Sequence, residues 1–289
     1  MPGSALALVL AAALLHALWN LGAKKANGNH HFVFASAAAV SILWLPIALY
    51  SGWRTVPLWG WAAWTAALAS ALVHLFYFNA LLAGYRASDL TIVYPVARGS
   101  APTLSALAAV VLLDEKLGVL GVLGLAGVVI GIVLIAAGPA LWAKGGDARR
   151  RKLGLLWGAL TGLMIAGYTV IDGYAVKVLL LSPLLLDYFS NLLRVPFMAP
   201  AVWRDRAGLL PALRAQWKYV LLMATCSPLA YILVLYAMQT APLSRVAPAR
   251  ELSMLVAALL GGKLLGEGER GWRLLGAVFI ASGVIALAV

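Results

Sequence analysis

Long apolar runs alternate with short polar breaks along the whole chain. The runs fall at 4–24, 32–51, 60–84, 89–113, 118–138, 153–175, 183–203, 217–240, 243–264 and 271–288. Each is close to the ~20 residues that a helix needs to cross the hydrocarbon of a bilayer. They predict helices, because a strand open to lipid leaves its backbone groups unsatisfied. The apolar start, Ser4 to Leu18, has the length of a signal peptide. It lacks a basic leading region and runs on to Lys24, so it reads as the first span.

The polar positions repeat as well. Shifted by 152 residues, Asn20 falls on Asp172, Lys25 on Lys177, Arg98 on Arg250 and Glu115 on Glu267. Gly124 meets Gly276, Gly131 meets Gly283, and Leu112-Leu113-Asp114-Glu115 meets Leu264-Leu265-Gly266-Glu267. An odd number of spans, duplicated in one chain, lies upside down relative to its copy. Inverted repeats place a site near the midplane at their interface and allow alternating access. The expected fold is therefore an all-α polytopic membrane protein, with ten transmembrane helices as two inverted five-helix repeats. The first repeat covers residues 1–138 and the second 153–289. A linker, 139–152, holds Pro139, Gly145, Gly146 and the basic run Arg149-Arg150-Arg151-Lys152.

Composition agrees. Charged residues make up 11% of the chain and hydrophobic ones 63%, with a mean hydropathy of +0.93. A soluble domain carries roughly 25% charged residues, so the solvent here is lipid. The net charge of +12 does not point to nucleic acid. About 15 Lys and Arg lie in loops after odd-numbered spans and about 4 on the other side, which is how topology is written. Taken alone, that bias puts the odd loops in the cytoplasm and both termini outside. Trp53, Trp59, Trp61, Trp142, Trp203, Trp217 and Trp272 cluster at span ends as interfacial anchors. Gly154, Gly158 and Gly162, with Gly127 and Gly131, read as close-packing faces. Cys226 stands alone, with no disulfide partner, and reads as a small packing residue.

The layout resembles the drug/metabolite transporter superfamily, in particular its EamA-type ten-helix carriers. The likeness rests on His16-Ala17-Leu18-Trp19-Asn20 with Lys24-Lys25 in the first span. The fourth span adds Tyr94-Pro95-Val96-Ala97-Arg98-Gly99-Ser100-Ala101-Pro102, ending in Leu113-Asp114-Glu115. The ninth repeats this as Ala247-Pro248-Ala249-Arg250-Glu251, followed by Leu264-Leu265-Gly266-Glu267. The resemblance implies a central cavity between the halves, with the fourth and ninth spans facing each other. Superfamily members carry amino acids, nucleotide sugars, sugar phosphates and drugs, so it does not set the substrate. Sugar-phosphate exchangers in the superfamily use basic residues on these two helices. The resemblance also implies cytoplasmic termini, against the charge bias, which leaves orientation open.

An ionisable group at membrane depth costs ~2.5–3.5 kcal/mol on insertion scales and is a functional candidate by default. Arg98 and its mate Arg250 lead, beside Pro95, Pro102 and Pro248. Two guanidiniums can converge on one phosphate or carboxylate. The competing reading is internal neutralisation by Glu251 or Asp172. Asn20 and Asp172 form a second symmetric pair, and Asp172 or Glu251 is the candidate coupling acid. His16, with its mate Tyr168, lines the cavity or cross-links helices. Tyr94, Asn79 and Tyr231 complete the candidate substrate site, with His74, Tyr77, Tyr236 and Gln239 as weaker members. Asp187, Asn191 and Arg194 share one helical face that looks inward, to the cavity or to a neighbour. Glu115 and Glu267 read as caps at span ends.

No enzyme signature is present: Ser100, Ser227 and Ser253 lack a recognisable His/Asp partner, and there is no P-loop. Neither cofactor nor metal is expected. His30 and His31 are adjacent and so leave different faces of a helix. The expected protein is a secondary transporter in the plasma membrane for a small polar or anionic metabolite, or a multidrug exporter. A non-transporting membrane scaffold is the alternative from another class. Lipid and the substrate are its partners, with no nucleic acid, as monomer or homodimer.

Overall fold

The computed structural model describes residues 1–26, 29–137, 148–256 and 270–289. Every regular element among them is helical: α1 Gly3–Ala26, α2 His30–Leu43, α3 Leu45–Gly52, α4 Trp61–Ala87, α5 Leu90–Leu112, α6 Val119–Ala137, α7 Ala148–Lys177, α8 Pro183–Arg204, α9 Leu209–Thr240, α10 Leu243–Ala249 and α11 Arg270–Ala288. Among the described residues seven helices are long and apolar enough to cross a membrane. The pair α2 and α3 passes the same test together but is bent by 46° at its break, as a broken span or a re-entrant loop. Its break falls next to Pro46, which has no N–H for the Ile42 carbonyl. At 22 residues α8 is also long enough to span, but Asp187, Asn191 and Arg194 dilute its hydropathy. The ninth span is described only as far as residue 256, and Glu267 lies outside the described residues.

Two helices start earlier than the apolar pattern predicts. The sixth span extends back to Ala148 and takes in Arg149 to Lys152. The eighth begins at Leu209 rather than 217. Arg and Lys are good helix formers, so a helix can run on past its apolar segment into the polar interface.

The packing obeys a twofold relation between repeats. Helix α1 packs on α9, and their mates α7 and α4 pack on each other. Helix α2 packs on α9, matched by α8 on α4. Three interfaces are their own mates: α2 with α8, α5 with α10, and α6 with α11. The last is the tightest crossing. A Cβ on Gly124 would lie 2.7 Å from the Gly283 carbonyl oxygen, and one on Gly276 would lie 2.7 Å from that of Gly131. Those two contacts are the same contact under the 152-residue shift, as twofold symmetry requires. The buried core gathers between the halves, with Val9, Ala101, Val128 and Ile132 against Val234, Leu235, Val246, Ile280 and Val284.

Candidate functional site

Where α5 meets the break that follows α10, Arg98 Nη2 lies 3.0 Å from Glu251 Oε2, and Arg250 Nε lies 3.8 Å from Glu251 Oε1. Glu251 is 1% exposed, Arg250 6% and Arg98 20%. Both repeat-related arginines thus share one carboxylate, so that these three groups by themselves carry a net charge of +1. Arg98 Nε has no hydrogen-bond partner among the described residues. The local backbone explains the placement. In α5, Pro95 and Pro102 sit inside a continuous helix, and Pro102 releases the carbonyl of Arg98 itself. In the second repeat the helix stops at Ala249 and resumes at Leu252. The break is bridged by short-range bonds: Glu251 N to Pro248 O at 3.0 Å, Ser253 N to Arg250 O at 3.2 Å and Met254 N to Glu251 O at 2.9 Å. The stripe Gly158 and Gly162 on α7 lets α5 approach closely, since a Cβ at either would lie 2.9 Å from a carbonyl oxygen of α5.

A second group lies between α4, α7 and α9. His74 stacks on Tyr168 at 3.8 Å between ring centroids, and Tyr231 meets both edge-on. Tyr77 lies against Tyr168 at 5.9 Å. The Tyr231 hydroxyl donates to Asp172 Oδ2 at 2.6 Å, while Asp172 Oδ1 is buried without a hydrogen-bond partner. On α8, Asn191 donates to Asp187 Oδ2 at 3.1 Å and Arg194 donates to Asn191 Oδ1. This stripe is buried, with Asp187 7% and Asn191 8% exposed, so it does face inward. Ser70 and Ser190, 3.2 Å apart, tie α4 to α8 in the same layer. The sequence gives no signal for them beyond small hydroxyls in apolar spans.

The remaining candidates divide. His16 Nδ1 accepts from Trp19 Nε1 at 2.9 Å, and the two rings lie 5.8 Å apart. Tyr94 lies beside Arg98, whose guanidinium carbon is 6.0 Å from the ring centre. Asn20 is exposed and donates to its own helix at the His16 carbonyl, 2.6 Å away. Asn79 is exposed too and donates to the Leu75 carbonyl at 2.9 Å. Tyr236 is 40% exposed and Gln239 is exposed. Arg98, Arg250, Asp172, His16, Tyr94, Tyr168 and Tyr231 are therefore gathered in the interior, while Asn20, Asn79, Tyr236 and Gln239 are exposed.

Glu115 does more than end a span. Its Oε1 accepts from Lys177 Nζ at 2.7 Å and from Leu243 N at 2.7 Å, and its Oε2 from Ser244 N at 2.8 Å. A carboxylate of the first repeat thus caps the first turn of α10 in the second, where the helix dipole favours negative charge. Lys177 also donates to the Ala241 carbonyl at 3.1 Å. Burial opposes the charge on Glu115, but the Lys177 ammonium and the Ser244 and Leu243 N–H groups outweigh it and hold the carboxyl below its ordinary pKa. The turn that aims Glu115 has Asp114 at φ 57°, and the one after Lys177 has Leu180 at φ 55°. The 152-residue shift puts Gly266 and Gly28 at those two positions, residues at home in left-handed backbone.

On the opposite face, the start of α2 meets the turn after α8. Asp205, after α8, lies 3.7 Å from His30 Nε2 and 3.5 Å from His31 Nε2 through its Oδ2. His31 is buried and also bonds the Asp205 carbonyl oxygen at 2.8 Å. The third group comes from 174 residues away, out of reach of any local pattern.

The family model of the EamA-like transporter family matches residues 3–137 and again 152–289. No curated protein matches the chain. A solved structure described only as "Crystal structure of protein" is similar in fold, with a TM-score of 0.78 at 17% identity, over 99% of this chain and 96% of that one. With two copies of one family model covering nearly its whole length, on an all-α polytopic membrane fold, the chain belongs to the EamA-like transporter family.

Proposed function

We propose that this transporter is a secondary carrier for a small anionic or polar metabolite, working as exporter or exchanger by alternating access between its repeats. The observation that carries the reading is the shared carboxylate: two buried guanidiniums face one Glu251 at the repeat interface. An anion entering there meets two guanidiniums that share one carboxylate, and an Arg98 Nε donor without a hydrogen-bond partner. Phosphate esters, phosphonates and carboxylates fit that chemistry. Asp172 and Glu251 are the acids placed to couple a proton to the cycle.

Alternating access needs contacts between the repeats that form on one face and break on the other. The Glu115–Lys177–α10 tie is such a contact, at the face opposite the basic loops. Its sequence counterpart is Glu267 with Lys25 and the start of α5. The carrier opens that face by releasing the Glu115 tie. The plasma membrane is the proposed location, with a monomer or a homodimer as the working unit. The aromatic group of His74, Tyr77, Tyr168 and Tyr231 favours a second reading, in which the cargo is an amphipathic drug.

Thermal unfolding of the detergent-purified protein against organic anions, amino acids and cationic drugs, repeated on Arg98→Gln, tests the reading. A bound ligand raises the melting temperature with occupancy. The anion-carrier reading expects anions to stabilise the parent and not the variant. Stabilisation of both proteins alike by amphipathic cations alone would replace it with the drug-exporter reading.

A further inference from the structure

We infer that His30, His31 and Asp205 form a binding site for a divalent transition metal of the zinc class, joining the first repeat to the second. Zinc bound by imidazole nitrogen and carboxylate oxygen at about 2.0–2.2 Å in tetrahedral geometry sets neighbouring donor atoms ~3.4 Å apart. The two histidine–carboxylate separations, 3.5 and 3.7 Å, are already close to that spacing. All three donor atoms lie within 4.8 Å of one another. The set of two imidazoles and one carboxylate is a recurring zinc donor set that leaves a fourth position for water.

The surroundings suit a ligand. His31 is 2% exposed, and its ring is held in place beside Gly208, where a Cβ would lie only 2.7 Å from the ring carbon Cε1. Its buried Nδ1 has no hydrogen-bond partner. The bond from Nε2 to the Asp205 carbonyl is the contact that a metal would replace. His30 and Asp205 are 46% and 59% exposed, which provides an entry path from water. The two imidazole rings, 4.0 Å apart, turn toward the same carboxylate although their residues are adjacent in sequence. That convergence arises at the start of α2, where Asn29 accepts from Phe32 N and fixes the helix entry. Arg204 and Arg206 flank Asp205 in sequence, so the nitrogen ligands rather than net charge must supply the affinity.

A metal here staples the first turn of α2 to the turn after α8. On the carrier reading of the preceding subsection, that staple resists the relative motion of the repeats. The binding itself does not depend on that reading.

The test is titration of the detergent-purified, metal-stripped full chain with Zn²⁺ by calorimetry and with Co²⁺ by visible absorption. The parent is expected to bind one ion per chain with the intense d–d bands of tetrahedral cobalt. His30→Gln and Asp205→Asn, both at exposed positions, are expected to weaken binding by 10-fold or more while unfolding like the parent. Absence of a one-to-one binding isotherm, or binding that persists in the double variant H30Q/D205N, overturns the site. In proteoliposomes Zn²⁺ is expected to inhibit transport by the parent and not by H30Q/D205N. Binding without inhibition keeps the site and removes the staple.

Discussion

The fourth helix of each repeat began as the same sequence element, and the two now differ at one decisive place. In the first repeat Arg98 is followed by Gly99 inside an unbroken α5. In the second Arg250 is followed by Glu251 at a break, with Pro248 two residues earlier where α5 has Val96. One repeat brings a cation alone, and the other brings a cation with an acid that reaches both. Twofold symmetry by itself would give two like charges that repel, or two self-contained ion pairs that leave nothing for cargo. The asymmetry yields two guanidiniums held on one carboxylate.

The largest effect is expected at the shared acid. Glu251→Gln leaves two buried guanidiniums without a counter-charge. Removing one partner of a buried pair costs about 3–5 kcal/mol, read as a lower midpoint of thermal unfolding. Added organic anion should restore part of that loss in the variant, and no restoration would mean that the arginines are closed to solutes. The complementary change is Gly99→Glu, which gives the first repeat the missing acid. A Cβ there meets only Val129 Cγ1, at 3.7 Å, so the first side-chain carbon is accommodated without a clash. Anion stabilisation should then fall by 10-fold or more in affinity.

A smaller effect is expected at the tie between repeats. Glu115→Gln weakens hydrogen bonds to a charged group, worth roughly 1.5–3 kcal/mol each. Because the folded carboxyl lies below its ordinary pKa, its stabilisation is present above about pH 4.3 and is lost as pH falls through the folded value. The parent should therefore lose stability over that acid range, and the variant should lose less. Parallel curves would contradict the role. The smallest effect is expected at Asn79→Ala, within ~0.5 kcal/mol in stability and without change in anion response, because its amide bonds its own helix.

Much of this was legible before the fold. Apolar runs gave the spans, and the 152-residue echo gave the symmetry that later appeared as reciprocal glycine contacts across α6 and α11. The arginine pair was legible because charge at membrane depth is costly enough to need a reason. The direction of the amides was not. Asn20 and Asn79 satisfy their own helices at the i−4 carbonyl, so polarity in a span did not fix which way they face. Glu115 looked like a simple end cap because its partners lie 62 to 129 residues away. The α10 break was hidden for a related reason, since Pro95 and Pro102 are tolerated in α5 and composition alone does not separate a kept helix from a broken one.

The central claim is that Arg98 and Arg250 bind one cargo anion together. Its most direct test is exchange in proteoliposomes of the best-stabilising organic anion, for the parent, Arg98→Gln and Arg250→Gln. The account predicts saturable exchange by the parent, with both variants raising the half-saturating concentration or abolishing exchange. Exchange of that anion at parental rates and affinity by either variant would contradict it.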